Sequence, residues 1–167
     1  MAHGERHTNH HRLELMSSIM SGQAARSLEL LRAIDGTIEA MVYIRRDMEA
    51  LSESCESLLS RANTEDLEGE PLESEVVPSL EKVQDYLKDS HIVLCERLDA
   101  ALHAPELEAD DGIVEAYERT IGSVEELNTK VEQLRWVVLE RGADYEVAHK
   151  PVVMHNASDI DSFLDDL

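Results

Sequence analysis

The chain has 167 residues and a formal net charge of -21, from 36 acidic and 15 basic residues. This charge would repel a phosphate backbone, so we expect no direct contact with nucleic acid, and no stretch is apolar enough to span a membrane. Hydrophobic residues make up 43% of the chain and aromatic residues only 4%, which favours helices packed on helices over a sandwich of sheets.

The first nine residues are polar and rich in histidine, and we expect them to be flexible. They lack the apolar core of a secretion signal, so we expect a cytoplasmic protein with reduced, buried cysteines at Cys55 and Cys95. His7 and His11 have the i, i+4 spacing that places two imidazoles on one helix face. No set of cysteine or carboxylate partners accompanies them, and we predict neither a metal nor a cofactor.

Apolar residues recur every three or four positions over about 10–62, and in the second half of this range the steps alternate without a miss. That is the period of a helix, and locally of a coiled coil. Asp35-Gly36-Thr37 interrupts the pattern, since glycine costs about 1 kcal/mol in a helix interior. Ile34 and Ile38 nevertheless stay in phase across it. We therefore predict one continuous or kinked helix, with a reversal of the chain at Gly36 as the alternative.

Two further helices are predicted after an acidic loop. This loop, residues 63–79, holds six acidic residues and no basic one. Apolar positions at helical spacing then continue over about 79–103 and, after a second acidic loop, over about 113–141. Gly142 is expected to end the third helix as its C-cap.

These elements predict an all-α fold. The bundle covers 10–141, between the flexible residues 1–9 and a tail over 142–167. We predict an elongated antiparallel three-helix bundle, or a four-helix bundle if the chain reverses at Gly36, with a partly extended acidic C-terminal tail. A first helix as long as the other two combined would overhang and offer its apolar stripe to a second copy. We therefore expect a homodimer.

The chain ends in NASDIDSFLDDL, an acidic amphipathic segment. Ser158 or Asp159 can cap a short helix here. One face of that helix would be apolar and would carry Ile160, Phe163, Leu164 and Leu167. Acidic residues around this face, Asp161 and Asp165 among them, would steer it toward a basic-rimmed apolar groove on a partner. We predict a partner-binding motif, with docking of the tail on its own bundle as the alternative.

Trp136 is the only tryptophan, and the three residues that follow it, 137–139, are all apolar. One interpretation places it in the core of a helix that is buried on more than one side. The other makes it an anchor for a partner, because tryptophan is enriched at binding hot spots. We count Trp136 among the predicted partner-binding residues.

No catalytic motif is recognisable. The sequence contains no nucleophile elbow, phosphate loop, Cys-x-x-Cys or His-Glu-x-x-His. Carboxylate pairs such as Glu125-Glu126 lack the Glu-x-x-His partners of a di-iron bundle. His91 lies near the apolar stripe of the second helix and is interpreted as a satisfied histidine between helices. We predict no catalytic residue.

The outline of a long helical hairpin, a linker and an acidic amphipathic C-terminal peptide resembles the CheZ-type chemotaxis phosphatases. Gln84-Asp85-Tyr86 resembles part of their signature. The resemblance implies a helical protein whose tail docks on a response regulator. The glutamine that such chemistry requires one helical turn after the signature aspartate has no counterpart here. The resemblance therefore covers the outline and not the catalytic residue.

Three classes of function remain. The first is a non-enzymatic interaction module, meaning an adaptor, an assembly subunit or a regulator. The second is an acidic inhibitor of a basic partner, such as an antitoxin, an immunity protein or a DNA mimic. The third is an enzyme, such as a response-regulator phosphatase or a metal-dependent helical-bundle enzyme. The first is preferred, because 63–79, 104–115 and 142–167 hold 17 acids and one lysine, whereas a DNA mimic would array its charge along a helix face.

Overall fold

The structure is a computed structural model that describes residues 12–64, 67, 71–103 and 111–149. Four α-helices account for most of them: α1 (Arg12–Ala33), α2 (Ile38–Thr64), α3 (Val77–His103) and α4 (Asp111–His149). A single π-helical turn, Leu72–Val76, leads directly into α3. The described ranges contain no strand, which confirms the all-α prediction. None of these helices has the length and apolar character that crossing a bilayer would require.

Each helix buries one stripe of residues that lie three or four positions apart. In α4 the stripe extends from Ile113 to Val138, and in α3 from Leu80 to Leu94. A regular alternation of three and four keeps the stripe on the bundle axis, as in a coiled coil. The α2 stripe follows it throughout and consists of Met41, Ile44, Met48, Leu51, Cys55, Leu58 and Ala62.

The chain reverses between α1 and α2, so the bundle has four helices and the prediction of one helix over 10–62 is wrong. Gln23 of α1 and Leu51 of α2 line the same groove, although one continuous helix would hold them about 42 Å apart. Thr37 starts α2, because its Oγ1 accepts a hydrogen bond of 3.1 Å from the backbone N–H of Ala40. The reversal is therefore a short connection that ends in an N-cap.

The α3/α4 pair is antiparallel, since residue numbers rise along one helix as they fall along the other at each contact. His91 Nε2 lies 2.9 Å from Glu125 Oε1, and Gln84 donates to Glu132. The α2/α4 pair is parallel instead. The backbone oxygen of Asn63 accepts from Arg141 at 3.4 Å, and Ser52 and Glu56 meet Lys130 in the same register.

Two antiparallel hairpins, α1/α2 and α3/α4, therefore pack side by side. The neighbouring helix pairs are α1/α2, α2/α4, α4/α3 and α3/α1, so α2 and α3, which follow each other in the chain, lie on opposite corners. Leu67, in the connection between them, is buried. The first residues of α1 and α3 and the last residues of α2 and α4 consequently share one end of the bundle.

The last helix is longer than predicted. It passes through Gly142 and ends at His149, so the prediction of an extended tail from 142 is wrong for 142–149. Gly142 is buried and lies against Leu72 of the π turn. A Cβ at Gly142 would lie at an ordinary contact distance of 3.8 Å from Leu72 and Glu73. Gly142 is therefore an interior position of the helix and not its C-cap. Residues 1–11 and 150–167 lie outside the described residues.

The expected overhang of the first helix is not formed. The helix α1 has 22 residues and α2 has 27, and both bury their apolar stripes inside their own bundle. The stripe on which the homodimer prediction relied is therefore already occupied. Any contact between two copies needs a different surface.

Candidate partner-binding surface

Trp136 is the one residue of the seven predicted partner-binding positions that the structure describes. Its side chain is 56% exposed, so the core interpretation is wrong. The indole is also held in place, because Nε1–H donates a hydrogen bond of 3.0 Å to Glu132 Oε1, one turn earlier in α4. The other six, Ile160, Asp161, Phe163, Leu164, Asp165 and Leu167, lie outside the described residues.

A network of polar side chains connects Trp136 to α3. Glu132 accepts from Trp136 with one carboxylate oxygen and from Gln84 Nε2 with the other. Arg135 Nη1 in turn donates to Gln84 Oε1 over 3.1 Å. The side-chain amide of Gln84 is therefore engaged on both its donor and its acceptor side. This glutamine belongs to the stretch that resembles the phosphatase signature, and here it holds two helices together.

A groove of about 530 Å³ follows the outside of the α3/α4 pair, next to this network. Leu87 and Val124 form its apolar floor, and Asp85, Lys88 and Asn128 are among its polar lining. Ile92 lies on its wall and is 45% exposed. The polar lining carries both signs of charge, with Asp85 and Glu125 against Lys88, so the groove can accept a ligand that has both apolar and charged groups.

Sequence reasoning missed Ile92, although a signal was present. The α3 stripe steps through Leu87, Ser90 and Leu94, and Ile92 falls between these steps. An isoleucine off the stripe of a strictly periodic helix indicates an exposed apolar side chain. The register of the hairpin places Ile92 level with Val124 of α4, twelve residues before Trp136. The two exposed side chains are thus about 18 Å apart along the axis, or three turns of a bound helix.

Three polar side chains form a cluster at the end of the groove where Ile92 lies. His91 Nδ1 lies 3.6 Å from Cys95 Sγ, and its Nε2 lies 2.9 Å from Glu125 Oε1. When the carboxylate accepts Nε2–H, the other ring nitrogen carries the lone pair and can accept the thiol hydrogen. His91 thus lies between two helices, as predicted. The prediction that both cysteines are buried holds for Cys55, whereas Cys95 is half-buried.

This cluster contains a nucleophile and a base but lacks the other parts of an acyl-transfer site. Both walls are helix interiors, where each backbone N–H already donates four residues back, so no pair of free donors can stabilise an oxyanion. Within the described ranges, no three His, Cys, Asp or Glu side chains are grouped to hold a metal ion. The geometry therefore fits a hydrogen-bonded thiol better than a catalytic centre.

Comparison with known proteins provides no relative. No family model, no curated protein and no solved structure matches the chain. A function for this protein has to be argued from its own surfaces.

Proposed function

We propose that the protein is a non-enzymatic interaction module, an adaptor, assembly subunit or regulator, that binds a protein partner. The two contact regions are the α3/α4 groove beside Trp136 and the acidic C-terminal motif around Phe163. The supporting observation is that Trp136 is exposed and at the same time fixed by its hydrogen bond to Glu132. A pre-oriented aromatic side chain loses little conformational entropy when a partner covers it.

The proposed partner is a protein with a basic-rimmed apolar groove for the tail. The net charge of -21 supports a basic rim and argues against direct binding to nucleic acid. We place the protein in the cytoplasm, where its two free thiols would stay reduced. A homodimer remains part of the proposal, and it would have to use exposed side chains such as Tyr43 of α2.

An acidic inhibitor of a basic partner is the alternative. The helix α4 favours it with nine acidic and four basic residues. Against it, the exposed face of α4 mixes the two signs, as in the 2.6 Å ion pair between Arg119 and Glu115. A charge-led complex would weaken steeply between low and high salt, whereas a complex anchored by an indole and a phenyl ring would weaken little.

The test is a pull-down from a lysate of the native host, with the full chain, a chain truncated after His155 and the variant Trp136→Ala. We expect a partner that the full chain retains and that both changes release. Once the partner is identified, Trp136→Ala should raise its Kd about thirtyfold, the effect of losing a hot-spot side chain of about 2 kcal/mol.

The matched control for this experiment is Leu102→Ala. Leu102 is 60% exposed, as apolar as Trp136 and close to the opposite end of the bundle. The Leu102→Ala variant should bind the partner with the same Kd as the wild type. If the truncated chain and Trp136→Ala captured the same proteins as the full chain, the interaction module proposed here would be wrong in both of its contact regions.

A further inference from the structure

A second groove, of about 610 Å³, follows the outside of the α1/α2 hairpin. Leu30 and Ala33 of α1 and Ala50 and Leu51 of α2 provide its apolar lining. It lies on a different helix pair from the α3/α4 groove and has no part in the function proposed above. We name it the α1/α2 groove.

Two polar atoms in the α1/α2 groove are buried without a hydrogen-bond partner: Gln23 Oε1 and Ser27 Oγ. Ser27 is only 2% exposed. The other buried serine and threonine hydroxyls of the described ranges each donate to a backbone oxygen of the preceding turn: Ser17, Ser90 and Thr120. A buried polar atom left unpaired costs about 1–3 kcal/mol. These two atoms therefore indicate a ligand that supplies an acceptor for Ser27 and a donor for Gln23.

The groove continues toward the start of α1 as an apolar surface. Leu15 is 61% exposed and Ile19 is 50% exposed, and they lie one turn apart on the same side of the helix. Ile19, Gln23 and Arg26 follow each other at steps of four and three, so the apolar surface and the unpaired amide belong to one face of α1.

The helix α1 is also the one described helix with a positive net charge. It carries three arginines and two glutamates, whereas α2 and α3 each carry five acids and three bases. Along α1, Arg12 precedes the apolar surface and Arg26 follows it. Arg61 is in the last turn of α2, at the end of the bundle where α1 starts. Arg26 makes no hydrogen bond or ion pair with the described residues. In a chain of net charge -21, this face is therefore suited to an acidic amphipathic segment.

We propose that the occupant of this groove is the chain's own C-terminal segment, residues 158–167. The segment offers apolar side chains at Ile160, Phe163, Leu164 and Leu167. Its aspartates, Asp159, Asp161, Asp165 and Asp166, match the arginines at the two ends of the surface. A carboxylate can accept the Ser27 hydroxyl hydrogen, and the Ser162 hydroxyl can donate to Gln23. Each of these groups would therefore have a complementary group on α1.

The length of the chain permits this contact. The last residue of α4, His149, is about 12 Å beyond the level of Arg141, and Arg141 contacts Asn63 at the end where α1 starts. From His149, the path across the bundle to Leu15 is about 20 Å. The nine residues 150–158 can span about 30 Å. A ten-residue helix of about 15 Å would then run from Leu15 to the level of Arg26.

The rim of the groove also carries two acids, Asp47 of α2 about level with Arg26 and Glu29 beyond it, and they set the limit of the contact. The docked segment covers α1 and leaves Trp136 free on the other side of the bundle. A partner that takes the acidic motif has to displace it from α1 first. The intramolecular contact itself needs no partner, so it can be tested on the isolated protein whatever the fate of the proposed function.

The experiment is hydrogen exchange with mass spectrometry on the full chain. Amides of 158–167 should be protected in the wild type, to the same degree at 1 and 100 µM protein. Ile19→Asp should lower their protection at least tenfold, and so should the charge reversal Arg26→Glu. Both positions are exposed, so the bundle itself should melt as the wild type does. Leu102→Asp, an equal change on an exposed leucine of α3, should leave the protection unchanged.

Several results would overturn the proposal. An unprotected segment in the wild type would mean that it does not dock. Protection that Trp136→Ala removes while Ile19→Asp and Arg26→Glu do not would place the segment in the α3/α4 groove. Protection that rises with protein concentration would make the occupant the segment of a second copy. If Ile19→Asp unfolds the chain, Arg26→Glu alone decides between the outcomes.

Discussion

The two cysteines of this bundle have opposite environments, and their reactivity should differ accordingly. Burial raises the pKa of the Cys55 thiol to about 11, with Lys130 nearby opposing part of the rise. At pH 8 about one such thiol in a thousand is ionised. Cys95 is half-buried beside the acceptor nitrogen of His91. Iodoacetamide at pH 8 should therefore modify Cys95 at least about a hundredfold faster than Cys55.

The measurement is the rate of mass increase at each cysteine, mapped by peptide mass spectrometry. In denaturant both thiols should react at similar rates, because the burial of Cys55 is lost. His91→Gln should slow the reaction of Cys95 while leaving that of Cys55 unchanged. Equal rates in the folded protein would contradict the packing of Cys55 in the α2 stripe.

Gly36 is required by the close approach of Tyr117. A Cβ at this position would overlap the phenol hydroxyl of Tyr117, a buried side chain of α4. Gly36→Ala should therefore destabilise the fold by about 2 kcal/mol, the cost of a forced shift in a packed core. For a chain of this size the melting temperature would fall by roughly 4–8 °C.

Tyr117→Phe removes the atom that clashes and provides the control. The double variant should recover much of the loss caused by Gly36→Ala, and thermal melts of the four proteins in the cycle give the coupling. Additive effects of the two substitutions would contradict the contact.

At the scale of the helix, the sequence predicted the bounds of an element accurately where one periodic segment lies between residues that end a helix, such as proline and glycine. The helix predicted over about 79–103 is α3, Val77–His103, extended by the π turn. The prediction failed at 34–37, because Ile34 and Ile38 stay in phase across the reversal. Ile38 is 43% exposed and lies outside the buried stripe of α2, so its phase with Ile34 did not mark one continuous core face. Periodicity alone cannot distinguish one long helix from two antiparallel helices that pack on the same core.

Gly142 misled sequence reasoning for a related reason. A glycine after a helical stripe favours a C-cap, yet here it continues the stripe as its smallest member, against Leu72. Trp136 was identified from its residue type, but its exposure depends on the neighbouring helix. The unpaired Ser27 could not be predicted, since any buried helical serine can bond to its own backbone.

Lys130 connects the parallel helices α2 and α4, and its contribution should depend on pH. Its hydrogen bond with Glu56, at 2.7 Å, raises the pKa of Lys130 against the opposing effect of its partial desolvation. A folded-state pKa that is raised adds stability below the unfolded value of about 10.4, and this contribution is lost as pH rises through the folded value. Lys130→Met should therefore destabilise the protein at pH 8 and make little difference near pH 12.

Urea titrations at both pH values measure this difference. Lys82→Met is the matched control, because Lys82 is exposed on α3 and makes no hydrogen bond or ion pair to another helix within the described residues. Its effect on the free energy of unfolding should be small at both values. A pH-independent loss in Lys130→Met would mean that its alkyl chain packs but its charge does not contribute.

For the molecule as a whole, the net charge of -21 opposes the compact state. Added salt screens this repulsion over a Debye length of about 10 Å at 0.1 M. The melting temperature should therefore rise by several degrees between about 0.02 and 0.5 M sodium chloride. Calorimetry at the two salt concentrations makes the test, and a melting temperature that falls with salt would show that attractive ion pairs such as Lys130–Glu56 outweigh the repulsion.

The diagonal placement of α2 and α3 has a consequence for how this chain can be divided. Each half, α1/α2 or α3/α4, is an antiparallel hairpin with half a core, and the parallel contacts α1/α3 and α2/α4 all lie between the halves. Only the connection around Leu67 joins them covalently. A protease cut there should leave two fragments, each poorly folded alone, that reassemble on mixing. The bundle is thus a natural candidate for a split reporter whose halves recombine through a buried seam.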